Sequence, residues 1–196
     1  MKPRLFASLL LAGSLTLGAA PASAEVENYV IDTKNAHAFV QFKISHLGYS
    51  WLIGQFNRFE GQFSYDPQDP AAASVEVTID TASLDSNHAE RDKHLRSNDF
   101  LDVGKYPEAR FVSKKYSEQA DGKGVLEGDL TLHGVTRPVT IETRAIGHGP
   151  DPWGGYRRGF EGTTTLVLKD FGIDYDLGPA SREVELFLSI EGVRQK

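Results

Sequence analysis

The stretch Val184-Glu185-Leu186-Phe187-Leu188-Ser189-Ile190 sets Val184, Leu186, Leu188 and Ile190 on one side of an extended chain and Glu185, Phe187 and Ser189 on the other. Side chains along a strand point alternately to opposite faces, so this period of two reads as a strand with one apolar face. The same rule runs back through the chain. Phe160, Gly162, Thr164, Leu166 and Leu168 form one row, and Leu126, Gly128, Leu130 and Leu132 another, facing away from Glu127, Asp129 and Thr131. Val75, Val77 and Ile79, then Phe59, Gly61, Phe63 and Tyr65, then Ala38, Val40, Phe42 and Ile44 repeat it. Weaker strands are expected over 28–32, 108–117 and 136–146. Turn residues separate the runs at Asp66-Pro67, Asp121-Gly122, His133-Gly134, Gly149-Pro150 and Gly178-Pro179.

Eight or so strands joined by tight turns specify an all-β sandwich or closed barrel. Gly61, Gly128 and Gly162 lie on apolar rows, where a missing side chain lets a strand coil and leaves interior space or only turns a corner, so the reading is an eight-stranded antiparallel barrel. One segment breaks the rhythm. Asn87-His88-Ala89-Glu90 carries an N-cap residue and an acid three positions on, followed by Arg91-Asp92-Lys93-His94-Leu95-Arg96. This predicts one short polar helix over 87–97, capped by Asn87, with Asp92 and Arg96 as an i,i+4 pair.

At the N-terminus, Lys2 and Arg4 precede an uncharged Leu/Ala/Gly-rich stretch that ends in Ala22-Ser23-Ala24 before Glu25. That is the pattern of a secretory signal peptide over 1–24, cleaved after Ala24, leaving a single domain at 25–196 in the periplasm. Removing Lys2 and Arg4 makes the formal charge of −6 more negative still, which repels phosphate backbones and argues against nucleic acid as a partner. No later stretch is long and apolar enough to form a transmembrane segment after processing. With no cysteine, thiol chemistry and cysteine metal sites are excluded, and the fold must stand on core packing.

Enzyme signatures are missing: there is no Gly-x-Ser-x-Gly elbow, phosphate loop, dinucleotide fingerprint or His-Glu-x-x-His. His88 and His94 are six residues apart, about 600° of helix, so their rings point about 120° apart and cannot share one ion. No metal, cofactor or catalytic residue is therefore expected. The expected ligand wall is the apolar rows, through Val40, Phe42, Phe63, Leu130, Phe160 and Leu188. The segment His46–Phe56, too apolar for an exposed loop and too glycine-rich for a strand, adds Trp51 and Phe56. Trp153, in Asp151-Pro152-Trp153-Gly154-Gly155, reads equally as a pocket rim or a barrel-end plug. On the helix, Arg91, His94 and Arg96 are candidates to meet a ligand's polar head at a mouth, the alternative being a plain connector.

These segments also resemble the YceI family. The resemblance is carried by His37-Ala38-Phe39-Val40 through His46-Leu47-Gly48-Tyr49-Ser50-Trp51, by Asn87–Ser97 with Asp99-Phe100-Leu101, and by Asp129–Thr136. Asp151–Gly155, Lys169-Asp170-Phe171 and Leu177–Ser181 complete it, so that it spans 28–196. The resemblance implies a lipocalin-like eight-stranded barrel, exported, that holds a polyisoprenoid or similar long-chain amphiphile in an apolar tunnel. It brings no catalytic motif, and only from it is a homodimer expected. Transfer energetics agree with such a ligand: each five-carbon unit buried contributes about 4 kcal/mol, so a few units reach realistic affinities without a charged anchor. Two other readings share the pattern: an exported hydrolase using a Ser or His that the sequence does not single out, and a stress-related structural protein with a filled barrel.

Overall fold

The computed structural model describes residues 26–175 and 177–196; the expected leader, 1–24, lies outside them. In chain order the strands are β1 (Glu27–Ile31), β2 (Phe39–His46), β3 (Ser50–Phe56), β4 (Phe59–Tyr65), β5 (Ser74–Asp80) and β6 (Leu84–Asp85). After the helix α1 (Ala89–Leu95) come β7 (Glu108–Glu118), β8 (Lys123–Leu132), β9 (Val135–Pro150), β10 (Tyr156–Val167) and β11 (Glu183–Arg194).

Every pairing is antiparallel, and the ring closes. β1 and β2 both pair with β11, at Ile31↔Gly192 and Leu188↔Val40, so they are two pieces of one wall strand interrupted by the loop 32–38. Likewise β3 pairs with β2 while β4 pairs with β1, and β5 pairs with β4 while β6 pairs with β3. Three broken strands and the five continuous strands β7–β11 make an eight-stranded up-and-down barrel. Each wall strand pairs with the next in sequence, and the last returns to the first; β6, paired with β3, is the end of the sheet. The weaker strands are present, β9 runs several residues past its expected end, and the segment expected to be too glycine-rich for a strand forms β3, where Gly54 makes room for the ring of its partner Phe42.

The β8–β9 hairpin turns at His133 (φ 51°) and Gly134 (φ 74°), two left-handed residues between the paired Leu132 and Val135. That is the geometry whose twist matches a two-residue hairpin. Two of the three row glycines do not leave the space expected of them. An ideal Cβ on Gly128 would lie 2.5 Å from Phe111 Cζ, one on Gly61 2.8 Å from Ile31 Cδ1, and one on Gly162 2.9 Å from Ile141 Cγ2. Neighbouring atoms occupy the positions beside Gly61 and Gly128, so these two admit core groups rather than a ligand, while Gly162 also borders interior space.

The polar helix exists, with a different cap. Asn87 takes a left-handed conformation (φ 64°), and His88 is the N-cap, its Nδ1 accepting from the Arg91 N–H. Asp92 does not pair with Arg96. Its carboxylate turns inward and accepts from Ser86 N (2.8 Å) and Ser86 Oγ (2.5 Å), because these buried donors need a partner. Arg96 instead donates through Nη2 to the Leu84 carbonyl. No helix among the described residues is long and apolar enough to cross a membrane.

Candidate functional site

The inward rows enclose two apolar chambers in line along the barrel. The one nearer α1 has a volume of about 150 Å³ and is walled by residues including Phe42, Phe56, Leu84, Phe100, Leu132 and Val184. The other, of about 160 Å³, is walled by Phe63, Val75, Phe111, Ile141, Phe160 and Leu188 among others. Val40, Ile79, Leu130 and Leu186 line both and form the waist between them. Each chamber matches an engineered apolar cavity of roughly 150 Å³ that stays dry and takes up benzene. The α1-side chamber reaches the surface beside His46 and Leu177, two wall residues that are exposed.

Of the residues expected on the ligand wall, Val40, Phe42, Phe56, Phe63, Leu130, Phe160 and Leu188 all face these chambers. Trp51 does not. It lies on the outer face of β3 with 58% of its surface exposed, and the Lys43 ammonium sits 4.3 Å from its ring centre. The reason is parity: Leu52 and Phe56 face inward, which turns Trp51 and Ile53 out. Trp153 is likewise exposed, at the β9–β10 turn, with the Arg157 guanidinium 5.4 Å from its ring centre. The helix cations are engaged in holding local structure. Arg91 donates from Nε to Ser86 Oγ (2.7 Å) and from Nη2 to the Ser86 carbonyl. His94 contacts Asp99 through Nε2 (2.9 Å) and meets Phe100 and Tyr175 edge-on. Arg91, His94 and Arg96 are absent from the chamber walls, where Leu95, Phe100 and Leu101 represent this region.

The end opposite α1 holds polar groups that the sequence reading passed over. Arg158, buried inside the barrel, lies 4.0 Å from the ring centre of Tyr65 and donates to Glu27 Oε2 (3.1 Å) and to the Tyr29 hydroxyl (3.3 Å). Tyr65 and Tyr116 both donate to Glu118, Tyr116 at 2.9 Å. Glu27 also takes Tyr29 (2.6 Å) and Arg194 (2.8 Å). Burial, then the neighbouring Glu27, pushes the Tyr29 phenol up to about 12; burial raises Tyr65 and Tyr116 as well. A signal was present: Arg158 stands two residues before Phe160 on the same inward row.

On the outer wall, the loop 32–38 is fastened by Arg157, whose Nη1 donates to Asp32 (2.7 Å) and to Glu191, while its Nε donates to Asp151 (2.9 Å). Burial acts to raise the Asp32 carboxyl, but hydrogen bonds from Arg157, His37 and Asn35 outweigh it and hold the group at about 2. Asp32, His37 and Glu191 stand close enough to share an ion. The Arg157 guanidinium already bridges the two carboxylates, in the place such a cation would take.

A closed antiparallel barrel with a continuous apolar interior belongs to the lipocalin-like class of small binding barrels. Comparison with known proteins gives the family: the model of the YceI-like domain matches residues 29–192, and the chain belongs to the YceI family. It is 55% identical over 195 residues to a UPF0312 protein of Shewanella sp. (strain ANA-3), covering 100% of both chains. Burkholderia cenocepacia BcnA superposes with a TM-score of 0.73 at 24% identity, over 82% of this chain and 98% of that one. A polyisoprenoid binding domain from Saccharophagus degradans, implicated in plant cell wall breakdown, superposes at 0.61 with 13% identity, over 85% and 98%.

Proposed function

We propose that this is an exported carrier or scavenger that keeps an isoprenoid lipid out of water, bound within the barrel and not chemically changed there. The observation that carries the reading is the pair of chambers in line, walled by aliphatic and aromatic side chains and joined at an apolar waist. The structural neighbour described as a polyisoprenoid binding domain supports it. So does the energetics: the two chambers match about two five-carbon units, each contributing about 4 kcal/mol before association costs. A longer tail requires the waist side chains to change rotamer or the chain to emerge beside His46 and Leu177.

Organic extraction of the purified protein followed by mass spectrometry tests this directly. A stoichiometric isoprenoid supports it; an empty barrel with no affinity for added lipid overturns it in favour of a filled, structural barrel. Export is tested by N-terminal sequencing of the periplasmic fraction, where the chain is expected to start at Glu25.

A further inference from the structure

The mouth of the α1-side chamber, beside His46 and Leu177, opens next to the tip of the β2–β3 hairpin. From Ile44 to Phe56 the sequence holds no Asp, Glu, Lys or Arg, and the same is true of Leu177–Ser181. Ser181 fastens the two segments together. Its Oγ donates to the Ser45 carbonyl (2.6 Å) and accepts from the Leu47 N–H (3.4 Å). Along the hairpin one parity faces the chamber, through Leu52 and Phe56. The other parity, Leu47, Tyr49, Trp51 and Ile53, is exposed throughout, Tyr49 by 87%. Contiguous exposed apolar surface of this kind marks an interaction site.

We infer that this tip docks on the surface of a lipid bilayer, so that the ligand passes between membrane and chamber through the mouth at His46 and Leu177. The inference rests on the lipid-binding reading above and adds the surface with which the barrel exchanges. Three observations select a bilayer. The patch is continuous with the mouth, so a ligand leaving there enters whatever covers the patch, and a bilayer receives an isoprenoid without exposing it to water. Charge is the second. The chain carries a formal charge of −6, which draws a basic partner to its charged faces and repels an anionic one, whereas the uncharged tip fits a zwitterionic surface. The side chains are the third. Trp and Tyr set an apolar ring and a polar atom at the boundary between hydrocarbon and water. Two residues of strand rise about 7 Å, so Tyr49 and Trp51 fit together within the roughly 5–10 Å that an interfacial segment enters. Lys43, 4.3 Å from the Trp51 ring centre and paired with Glu185 (2.7 Å), then lies at the level of the headgroups.

The chain has two tryptophans, which makes the test site-specific. β10 runs from the Trp153 turn to Val167, and its Leu166 stands level with Val184 and Ile44, so Trp153 marks the end of the barrel opposite the hairpin tip. The processed protein is prepared as Trp153→Phe, leaving Trp51, and as Trp51→Phe, leaving Trp153. Each is mixed with phosphatidylcholine vesicles, with and without brominated acyl chains. Trp51 emission is expected to shift to the blue and to be quenched by bromine, with Trp153 unaffected. A companion assay follows protein-dependent transfer of tritiated geranylgeraniol between vesicles. Tyr49→Ala with Trp51→Ala should weaken vesicle binding and slow transfer about tenfold or more, since two rings leave the boundary. Leu47→Asp, in a left-handed turn that Asp tolerates, puts a charge on the tip and should act in the same direction. The dissociation constant for geranylgeraniol in vesicle-free buffer should not change, because none of the three side chains lines a chamber. An unresponsive Trp51, or equal quenching of both tryptophans, overturns docking at this end and leaves lipid binding standing. So does a blue shift of Trp51 that needs no vesicles and grows with protein concentration, because a second copy then covers the tip. Docking without any uptake of geranylgeraniol by the unaltered protein overturns the lipid-binding reading, and the proposed exchange with it.

Discussion

The ring of Phe111 occupies the volume that a side chain on Gly128 would need. The two residues sit on the paired strands β7 and β8, and an ideal Cβ on Gly128 would also come within 2.5 Å of the Val112 carbonyl oxygen. The ring in turn forms part of the wall of the chamber farther from α1. Bulk added at this glycine therefore strikes the wall before it reaches the tunnel.

Gly128→Ala is accordingly expected to destabilise the delipidated protein by about 1–3 kcal/mol, with Gly128→Leu worse. Thermal denaturation of lipid-free samples measures it, since bound ligand would raise apparent stability. Gly128 is not at positive φ, so the loss reports packing. An alanine variant as stable as the parent would show that the Phe111 ring moves freely.

Fastening of the loop 32–38 is expected to fail in acid. An ordinary aspartate near 3.8 is held at about 2 in Asp32, so the folded state binds this proton less readily than the unfolded chain. The stabilisation is complete above about pH 4 and disappears as pH falls through 2, and it amounts to about 2 kcal/mol. Asp32→Asn should cost about that much at pH 7. The difference between the two proteins should shrink to nothing on titration to pH 2, followed by urea denaturation. A constant difference across that range would contradict the assignment.

The waist should set the length of tail that the barrel retains. Ile79→Phe adds volume where both chambers meet, so lipids short enough for one chamber remain bound while longer ones are lost. Mass spectrometry of extracted lipid, compared between the two proteins, reads the distribution of chain lengths. An unshifted distribution would mean that the tail does not pass this point.

Trp51 offers a contrast with Phe160. Because its ring lies outside the barrel, Trp51→Ala should change stability by less than about 0.5 kcal/mol and leave lipid loading as it was. Phe160→Ala enlarges the chamber farther from α1 and should cost about 3–5 kcal/mol. Equal loss of loading in the two variants would place Trp51 on the ligand path after all.

The sequence by itself determined the barrel and the composition of its interior. Alternation in β8, β10 and β11 has one apolar and one largely polar parity, so Leu130, Leu188 and Phe160 face inward in any antiparallel closure. It also placed a helix near 87–97, though not the cap, because Asn87 was drawn into a left-handed turn and His88 inherited the role. Arg158 was legible by extending the row of Phe160 two residues; a charge on an inward row is costly to bury, and the phenols and carboxylates of β1, β4 and β7 make its burial tolerable. The face of Trp51 was undetermined locally, since β3 is apolar at both parities, with Trp51 and Ile53 on one and Leu52 and Phe56 on the other. Tertiary structure decided it through Phe42, whose ring fills the space beside Gly54, its partner across β2 and β3. Shifting β3 by one residue would put a side chain where that ring lies, and so the strand presents its glycine inward and its tryptophan to the outside.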